Sequence, residues 1–293
     1  MKPAPFTYHR PESLLDALAV LAEVGERGKV LAGGQSLLPM LAMRLAAPEH
    51  LVDVNRVPGL DGVTVEPEGV RVGALARHAR VERDAPAAEA LPLLRQALRH
   101  VAHPTIRNRG TTVGSVVHAD PSGEMTAVLA LCDGEVVLAR QDGERKVAAR
   151  EFFLGPLESA VAAGELATSV LFRRPGGRTG SAWHEVSRRH GDYAVCGVGA
   201  LVTLDDDRRV VGARTAYVSM GDTPAVLDLV DAVGGRPADD ADWAAAGRLA
   251  AGRLTPDADI HASAAYRSHL AQVLTARALR EAAGRSARVP EAA

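Results

Sequence analysis

The sequence predicts an α+β protein with two small α/β subdomains and a C-terminal domain in which an antiparallel sheet packs with helices. Two glycine-containing loops, at residues 32–37 and 109–115, each follow an apolar segment. A Pro175-Gly176-Gly177 break later interrupts periodic structure, and strand patterns followed by helical patterns come after it. The predicted units are residues 1–57, residues 58–176, residues 177–287 and a loose tail at residues 288–293.

The first subdomain has a clear succession of helix and strand patterns. Apolar residues recur at helical spacing through Ser13–Val24, which predicts an amphipathic helix. Lys29–Ala32 is then typical of a short buried strand, Leu38–Leu45 of a helix and His50–Val54 of a second strand. A strand, a glycine loop and a helix in this order are typical of phosphate binding by backbone N–H groups.

The second subdomain is predicted to contain short strands and two helices. One helix is expected over Leu91–His103, with Pro104 as its end, and a polar loop follows from Arg107 toward Glu124. The other expected elements are the strands Val63–Val65, Val70–Ala74, Glu135–Ala139 and Leu166–Phe172 and the helix Met125–Leu131.

The third unit begins with strands and ends with helices. Helices are expected between Ala225 and Ala283, and the longest, Ala262–Ala283, is expected to stop at Gly284. The expected antiparallel strands are Trp183–Ser187, Cys196–Leu204 and Val210–Met220.

Composition restricts the class of function. The 293 residues, 47% of them hydrophobic, can bury a sizeable core. A net charge of −2 gives no electrostatic attraction to nucleic acid or an anionic membrane, and 3% aromatic content offers few stacking platforms. We find neither an apolar signal core near the start nor the ~20 apolar residues of a membrane span. The expected location is therefore the cytoplasm.

Cysteine and histidine spacing predicts no metal centre on this chain. Cys132 and Cys196 are far apart and belong to no C-x-x-C motif, so both are expected to be small buried apolar residues. Any iron–sulfur cluster must then lie on another chain. His100 and His103 stand three residues apart, but no third ligand has suitable spacing.

The two glycine loops favour one long phosphorylated cofactor. Glycine lets backbone N–H groups approach a diphosphate closely. Neither loop is a Walker A or Gly-x-Gly-x-x-Gly sequence, which disfavours ATP hydrolysis and a Rossmann NAD site. Taken alone, Gly33-Gly34 is more typical of a tight turn. Arg107 and Arg109 suit either phosphate binding or ion pairs with acidic neighbours.

Longer motifs resemble the FAD-binding medium subunit of molybdenum hydroxylases, the family that includes carbon monoxide dehydrogenase and xanthine dehydrogenase. The resemblance covers nearly the whole chain. The motifs that carry it are Leu31–Pro39 with Arg44, Pro104–Ser115, His118–Pro121, Phe6–Leu14 and Ser263–Arg267.

The resemblance implies a two-subdomain FAD-binding domain of the PCMH or vanillyl-alcohol-oxidase type, followed by a C-terminal flavoprotein domain. It also implies an oxidoreductase subunit that passes electrons from an iron–sulfur subunit through FAD to an external acceptor. Molybdopterin and [2Fe-2S] clusters are expected on the large and small partner subunits, in a dimer of heterotrimers. No nucleic acid partner, membrane span, metal ligand or catalytic side chain is expected, because the flavin carries the redox chemistry.

The resemblance further assigns the cofactor-binding residues. The first loop is expected to wrap the FAD diphosphate, and the second is expected to close over it. Four further residues after the loops are expected to lie near the ribityl chain and the flavin ring. The residues are Ala32, Gly33, Gly34, Gln35, Ser36 and Leu37; Thr111, Thr112, Gly114 and Ser115; Asp120 and Glu124; and His184 and Tyr193. Asp120 also suits a cap for a helix that begins near Ser122.

Val113 departs from the family pattern, which has paired glycines where this chain has Val113-Gly114. A β-branched residue strongly disfavours a positive φ. Either the loop takes another path at this position, or the position needs no glycine. This departure keeps open a non-redox assembly module with a degenerate flavin site. A free-standing flavin oxidoreductase is a separate alternative, for which no catalytic acid is evident.

Overall fold

The structure, a computed structural model, describes residues 2–286, so the predicted tail at residues 288–293 lies outside the described residues. Three main sheets with packed helices confirm the predicted α+β class. None of the helices within residues 2–286 has both the length and the apolar character needed to cross a membrane.

The first sheet has three parallel strands, with the third strand in the centre. Its strands are β1 (Thr7–His9), β2 (Gly28–Leu31) and β3 (His50–Asp53). The flanking helices are α1 (Leu14–Val24) and α2 (Leu37–Ala42). The Ser13 hydroxyl caps α1 by accepting a hydrogen bond from the Asp16 N–H, and the helix buries the apolar face that its periodicity predicts. Because β2 and β3 are parallel, the loops after them lie at the same sheet edge.

The second sheet has five antiparallel strands and supports an apolar core. In spatial order the strands are β4 (Val63–Glu66), β5 (Gly69–Gly73), β10 (Leu166–Arg173), β6 (Glu135–Arg140) and β7 (Gly143–Ala148). A separate two-stranded hairpin consists of β8 (Phe153–Gly155) and β9 (Glu158–Ser159). The helices are α3 (His78–Arg83), α4 (Ala85–Ala90), α5 (Pro92–Leu98), α6 (Pro104–Arg107), α7 (Thr112–His118), α8 (Glu124–Leu131) and α9 (Ala149–Phe152).

The region around Pro104 differs from the sequence prediction. The helix expected up to His103 ends at Leu98, and Pro104 begins α6 instead of terminating a helix. Proline is well accommodated at a first helical position, because the N–H it lacks has no intrahelical partner there. The second glycine loop is also shorter than expected, since α7 starts at Thr112.

The C-terminal domain packs a four-stranded antiparallel sheet against helices. Its strands, in spatial and chain order, are β11 (Arg178–Ser187), β12 (Ala194–Leu204), β13 (Val210–Val218) and β14 (Ala225–Asp228). Its helices are α10 (Val230–Val233), α11 (Trp243–Arg253) and α12 (Ala264–Ser286).

Two predictions at the C-terminal end are wrong. Residues 225–228 form an edge strand, not a helix, because they pair with β13. Gly284 does not stop α12, which continues to Ser286. A glycine inside an exposed helical turn costs only about 1 kcal/mol, and the buried apolar face of α12 against the sheet exceeds that cost.

The C-terminal domain is tightly joined to the rest of the protein. Trp183 of β11 is buried in the same apolar cluster as Leu129 of α8. Nη1 and Nη2 of Arg214 donate to the Asp133 carboxylate, at 2.5 and 2.9 Å. These contacts hold β11 and β13 against α8 and the turn that follows it.

Candidate functional site

The loop after β2 presents a row of free backbone donors. Gly34 has a φ of +74°, which lets the chain turn sharply into α2. Gln35 folds back over the loop, and its Nε2 donates to the Gly33 carbonyl oxygen at 3.1 Å. Among residues 2–286, no acceptor receives the backbone N–H groups of Gly33–Leu37. Five consecutive unpaired donors in a partly buried loop suit an anionic ligand.

The two predicted loops touch each other. A Cβ built on Gly33 would lie 2.6 Å from the Arg109 carbonyl oxygen, 2.7 Å from the Gly110 Cα and 2.9 Å from the Thr111 nitrogen. These distances are far below a van der Waals contact, so only glycine permits this approach. The structure thus brings the first loop and the start of the second together across the two subdomains.

A hydrogen-bonded bridge of Asn55 and Arg77 fixes this contact. Asn55 Nδ2 donates to the Ala32 carbonyl oxygen at 2.8 Å. The Arg77 guanidinium donates to the Asn55 Oδ1 and to the Arg109 carbonyl oxygen, each at 2.6 Å. The planar fork of arginine suits two acceptors held in a fixed arrangement. The bridge therefore sets the position of both loops.

Sequence reasoning missed both bridging residues. Asn55 follows β3, whose carboxyl end lies beside the loop after β2, so parallel pairing of these two predicted strands would have identified it. Arg77 precedes α3 and meets Thr111 through an isolated β-bridge. No sequence pattern reports such a long-range contact.

A cavity of about 490 Å³ lies next to the bridge, between the two subdomains. Its charged lining includes Arg56, Arg77, Arg80 and Asp61. Arg80 pairs with Asp61 at 2.7 Å, whereas Arg56 and Arg77 form no ion pair within the described residues. Burial and the nearby Arg109 lower the pKa of Arg77. The cavity therefore carries unbalanced positive charge.

The second predicted loop is mostly the first turn of α7. The Thr111 hydroxyl caps this helix by accepting from the Gly114 N–H at 3.1 Å, and Thr112 Oγ1 lies 3.1 Å from His78 Nδ1. Gly114 and Ser115 are partly buried in the helix. Val113 is buried in the core with a helical conformation. Position 113 therefore has no need of glycine's conformational freedom.

Arg107 is engaged in the protein interior. Its Nε lies 2.9 Å from a Glu82 carboxylate oxygen, and its Nη1 donates to the carbonyl oxygens of Val101 and Ala102. Of the two readings of Arg107, the structure supports the ion pair. This arginine stabilises the turn that leads into α6.

Asp120 and Glu124 lie at the junction with the C-terminal domain. Asp120 Oδ1 accepts from the Ser122 N–H at 2.8 Å and so stabilises a turn, while α8 itself begins after Gly123. Glu124 is 8% exposed and occupies the first position of α8. Burial, with the neighbouring Glu185, raises its pKa to about 8.

Tyr193 and His184 occupy different surroundings. Tyr193 is exposed, and desolvation with the charges of Asp120 and Glu124 raises the pKa of its hydroxyl. Tyr193 therefore lies near the carboxyl groups of Asp120 and Glu124. His184 lies in β11 and faces α12, where its Nε2 is 2.6 Å from a Glu281 carboxylate oxygen.

Arg267, which belongs to the last of the sequence motifs, stabilises the junction between the turn at Asp120 and the C-terminal domain. Its Nη1 donates to the carbonyl oxygens of Val195 and Ser219, and its Nη2 pairs with Asp259 at 2.6 Å. Ser219 in turn donates its N–H to the Pro121 carbonyl oxygen at 2.9 Å. Arg267 thereby links α12 to the turn beside Asp120.

The residues fit a flavin dinucleotide. Unpaired N–H groups in the first loop and cations in the adjacent cavity suit a diphosphate. The Glu124 carboxyl, at the first position of α8, can accept hydrogen bonds from ligand hydroxyl groups. Cys132 and Cys196 are buried, as predicted, and burial raises the pKa of each thiol to about 12.

The fold and the donor-lined first loop are those of a flavoprotein with two α/β subdomains and a C-terminal domain of sheet and helices. Residues 4–172 match the family described as the FAD binding domain in molybdopterin dehydrogenase. Residues 181–282 match the CO dehydrogenase flavoprotein C-terminal domain. The chain belongs to this family of FAD-binding oxidoreductase subunits, and FAD is its cofactor. The resemblance inferred from the sequence motifs is confirmed.

Curated relatives cover the chain almost completely. The 6-hydroxypseudooxynicotine dehydrogenase complex subunit alpha of Paenarthrobacter nicotinovorans is 38% identical over 98% of this chain and 97% of its own length. The carbon monoxide dehydrogenase medium chain of Afipia carboxidovorans is 34% identical over 98% of this chain and 99% of its own length.

Solved structures agree with these relatives. A carbon monoxide dehydrogenase chain from Hydrogenophaga pseudoflava superposes with a TM-score of 0.91 at 32% identity, covering 97% of this chain and 99% of that one. A chain of quinoline 2-oxidoreductase from Pseudomonas putida 86 gives a TM-score of 0.91 at 35% identity, with the same two coverages.

Proposed function

We propose that this chain is the electron-transferring FAD subunit of a multi-subunit molybdenum hydroxylase. In this role FAD receives electrons from an iron–sulfur subunit and delivers them to an external acceptor. The observation that carries the proposal is the contact of Gly33 with residues 109–111, which joins two subdomains into one cleft lined by free N–H donors. The family membership supports the identity of the cofactor.

Each part of the cleft has a proposed role toward FAD. The N–H groups of Gly33–Leu37 bind the diphosphate, and the first turn of α7, with Thr111, Thr112, Gly114 and Ser115, closes over it. Arg56 and Arg77 supply positive charge for the same phosphates. Asp120 and Glu124 accept hydrogen bonds from ribityl hydroxyls, and Tyr193 lies beside the flavin ring. We propose no direct contact for His184, which pairs with Glu281.

The chain's own contribution is binding and orientation. When bound, FAD supplies the chemistry that converts one-electron transfer from iron–sulfur clusters into two-electron transfer to an external acceptor. The Asn55–Arg77 bridge keeps the two loops at a fixed separation. The buried side chains around Glu124 exclude water from one side of the cleft. No side chain is required to form a covalent bond.

The names of the relatives indicate that this subunit does not select the substrate. A chain of a nicotine-derivative dehydrogenase and a caffeine dehydrogenase subunit are each 38% identical to it, and a carbon monoxide dehydrogenase chain is 34% identical. These relatives are named for chemically unrelated substrates, yet they resemble this chain to a nearly equal degree. We therefore propose that another subunit determines the substrate specificity. We therefore propose a shared electron-transfer role without a particular substrate.

We propose that the partners are a large molybdopterin-binding subunit and a small iron–sulfur subunit, in a dimer of heterotrimers. Relatives named medium subunit, medium chain or complex subunit support a multi-subunit assembly. Co-purification of the tagged chain from its source cells, with metal analysis of the eluate, tests this. One molybdenum per flavin, and two irons per flavin for each [2Fe-2S] cluster of the small subunit, are the expected result.

The first test is the visible spectrum of the purified full-length chain, with the released cofactor identified by mass. Stoichiometric FAD that the organic substrate reduces only in the assembled complex is the expected result. A colourless chain that rejects FAD even in the complex would instead support an assembly module. Reduction of the flavin by a substrate without partner subunits would support a free-standing oxidoreductase.

A further inference from the structure

A tyrosine of the first strand is hydrogen-bonded to the end of the central strand beside the first glycine loop. Tyr8 lies in β1, within the Phe6–Leu14 sequence motif, and its hydroxyl donates to Asp53 Oδ2 at 2.6 Å. Tyr8 pairs in register with Leu51 of β3, so Asp53, two residues further along β3, lies on the same face of the sheet. The motif thus reaches the residues that hold the first loop.

The other oxygen of the Asp53 carboxylate holds Asn55. Asp53 Oδ1 accepts from the Asn55 N–H at 2.9 Å and from Asn55 Nδ2 at 2.6 Å. Aspartate commonly accepts from a backbone N–H two residues on, which forms a tight turn. The two carboxylate oxygens therefore have separate tasks. One is bound by Tyr8, and the other fixes both the backbone and the side chain of Asn55.

The Asn55 amide has one orientation that satisfies all its neighbours. Nδ2 has two protons, and it donates to Asp53 Oδ1 at 2.6 Å and to the Ala32 carbonyl oxygen at 2.8 Å. The Asn55 Oδ1 accepts from Arg77 Nη2 at 2.6 Å. An amide turned by half a rotation would place its oxygen against two acceptors and its NH₂ group against a guanidinium. Asp53 and Arg77 together therefore fix the amide.

The charge state of each group suits these hydrogen bonds. Burial opposes the ionisation of Asp53, but hydrogen bonds from Tyr8 and Asn55 lower its pKa overall. The hydrogen bond to Asp53, together with burial, raises the pKa of the Tyr8 hydroxyl, which therefore remains a donor. An ionised carboxylate has acceptor sites only, so Asp53 can accept from the Tyr8 hydroxyl and from both N–H groups of Asn55.

We propose that Tyr8 and Asp53 are positioning residues of the cofactor cleft, which act on both glycine loops through Asn55 and Arg77. We call these four residues the Tyr8–Arg77 network. Asn55 holds the first loop, and Arg77 holds the second. Neither Tyr8 nor Asp53 has to touch FAD for this role. Only the effect on FAD rests on the proposed function, which assigns the two loops to the FAD diphosphate.

The first test compares two substitutions of Asp53 by titration with FAD. It uses the flavin-free full-length protein, or its assembled complex if the isolated chain takes up no flavin. Asp53→Ala removes both acceptors and is expected to weaken FAD binding about tenfold or more. Asp53→Asn keeps an oxygen for Asn55 and an amide for the Tyr8 hydroxyl, so its affinity is expected to stay within about threefold of the wild type. Both variants lose the same negative charge, so equal losses of affinity would overturn a role in positioning.

Tyr8→Phe removes a single hydroxyl and is expected to weaken FAD binding about two- to fivefold. Thr7→Val is the matched control, because Thr7 is the exposed neighbour in β1 and faces away from Asp53. This control should bind FAD like the wild type. If Asp53→Ala does not fold, Tyr8→Phe decides the question.

A double-mutant cycle tests whether Tyr8 acts through Arg77. In an Arg77→Lys background the network is already broken, so adding Tyr8→Phe should lower FAD affinity less than it does in the wild type. Wild-type affinity in Tyr8→Phe alone, or the same loss in both backgrounds, would overturn the proposed role of Tyr8.

Amide hydrogen exchange tests the network without FAD. The Val54 N–H donates to the Leu31 carbonyl oxygen at 3.1 Å, and the His78 N–H donates to the Gly110 carbonyl oxygen at 3.0 Å. Both amides are expected to exchange faster in folded Asp53→Ala than in the wild type. Unchanged exchange at both would overturn the network. Faster exchange with unchanged FAD affinity would support the network and contradict the assignment of the loops to the diphosphate.

Discussion

Gly33 lies directly against Gly110, so close that a Cβ on Gly33 would be 2.7 Å from the Gly110 Cα. The two glycines belong to different subdomains, and their contact forms the base of the proposed diphosphate site. Gly33 is required here by the approach of another backbone, whereas the neighbouring Gly34 is required by its φ of +74°. Two adjacent glycines thus satisfy two different physical demands.

Gly33→Ala is expected to weaken FAD binding strongly. The added methyl group would meet the Arg109 carbonyl oxygen at 2.6 Å, and backbone atoms cannot rotate away as a flexible side chain can. Overpacking of this kind costs about 1–3 kcal/mol, which corresponds to roughly 5- to 150-fold in an equilibrium constant. The flavin-to-protein ratio after dialysis and the dissociation constant from fluorescence measure the effect.

Gly62→Ala is the matched control for this substitution. A Cβ at Gly62 meets nothing within 4 Å, and the residue does not have a positive φ. Its flavin content should equal that of the wild type. Full flavin occupancy in Gly33→Ala, with unchanged affinity, would show that the contact between the loops does not govern cofactor binding.

Val113→Ala is expected to lower stability and leave the flavin content unchanged. Val113 is 2% exposed inside α7, so its truncation removes buried apolar volume. The expected loss is about 1–2.5 kcal/mol in the free energy of unfolding, measured in urea. Val113→Gly should be less stable still, because glycine also disfavours the helix by about 1 kcal/mol. Higher FAD affinity in Val113→Gly would revive the view that this position needs glycine.

Much of the fold could be predicted from sequence because local signals were strong. The cap at Ser13, the helical periodicity after it and the apolar runs of β2 and β3 all report local structure. The longer motifs predicted the family and its FAD cofactor, which the family match confirms. Errors occurred where partners far along the chain decide the outcome, as in residues 225–228, which become a strand by pairing with β13.

The same limit applied to the site. Arg77 reaches Asn55 and the Arg109 carbonyl oxygen across 22 and 32 residues of sequence, and no short motif encodes such a bridge. His184 and Glu185 are neighbours in sequence, yet strand alternation sends them to opposite faces of β11. The sequence located this stretch, but the strand register decides which side chain faces the FAD-binding domain.

Arg77→Lys is expected to weaken FAD binding while the protein stays folded. Lysine keeps the positive charge but replaces a rigid fork with one ammonium group, which cannot hold Asn55 Oδ1 and the Arg109 carbonyl oxygen in the same arrangement. A loss of two hydrogen bonds from a charged donor predicts about a tenfold or larger decrease in affinity. Isothermal titration of the flavin-free protein with FAD measures it.

Arg27→Gln is a suitable comparison for Arg77→Lys. Arg27 lies in the first subdomain and makes an exposed ion pair with Glu49 at 3.4 Å. Exposed pairs contribute little, so this variant should bind FAD like the wild type. Equal affinities for Arg77→Lys and Arg27→Gln would mean that the bridge does not position the loops.

Glu124→Gln is expected to change how stability depends on pH. Burial and Glu185 raise the pKa of the folded Glu124 to about 8 from a usual value of 4.5. Between these values the folded protein holds a proton that the unfolded chain releases, so the free energy of unfolding falls as the pH rises from about 4.5 to 8. The glutamine variant lacks this decrease, because its side chain does not titrate.

Relative to the wild type, Glu124→Gln should therefore gain stability on going from pH 5 to pH 9, by an amount on the order of 1–3 kcal/mol. Urea unfolding at five pH values across this range gives the comparison. Glu12→Gln, a change at an exposed glutamate, should follow the wild-type curve. Parallel curves for Glu124→Gln and the wild type would show that the folded protein does not retain a proton on Glu124, since only a raised pKa in the folded state produces the predicted divergence.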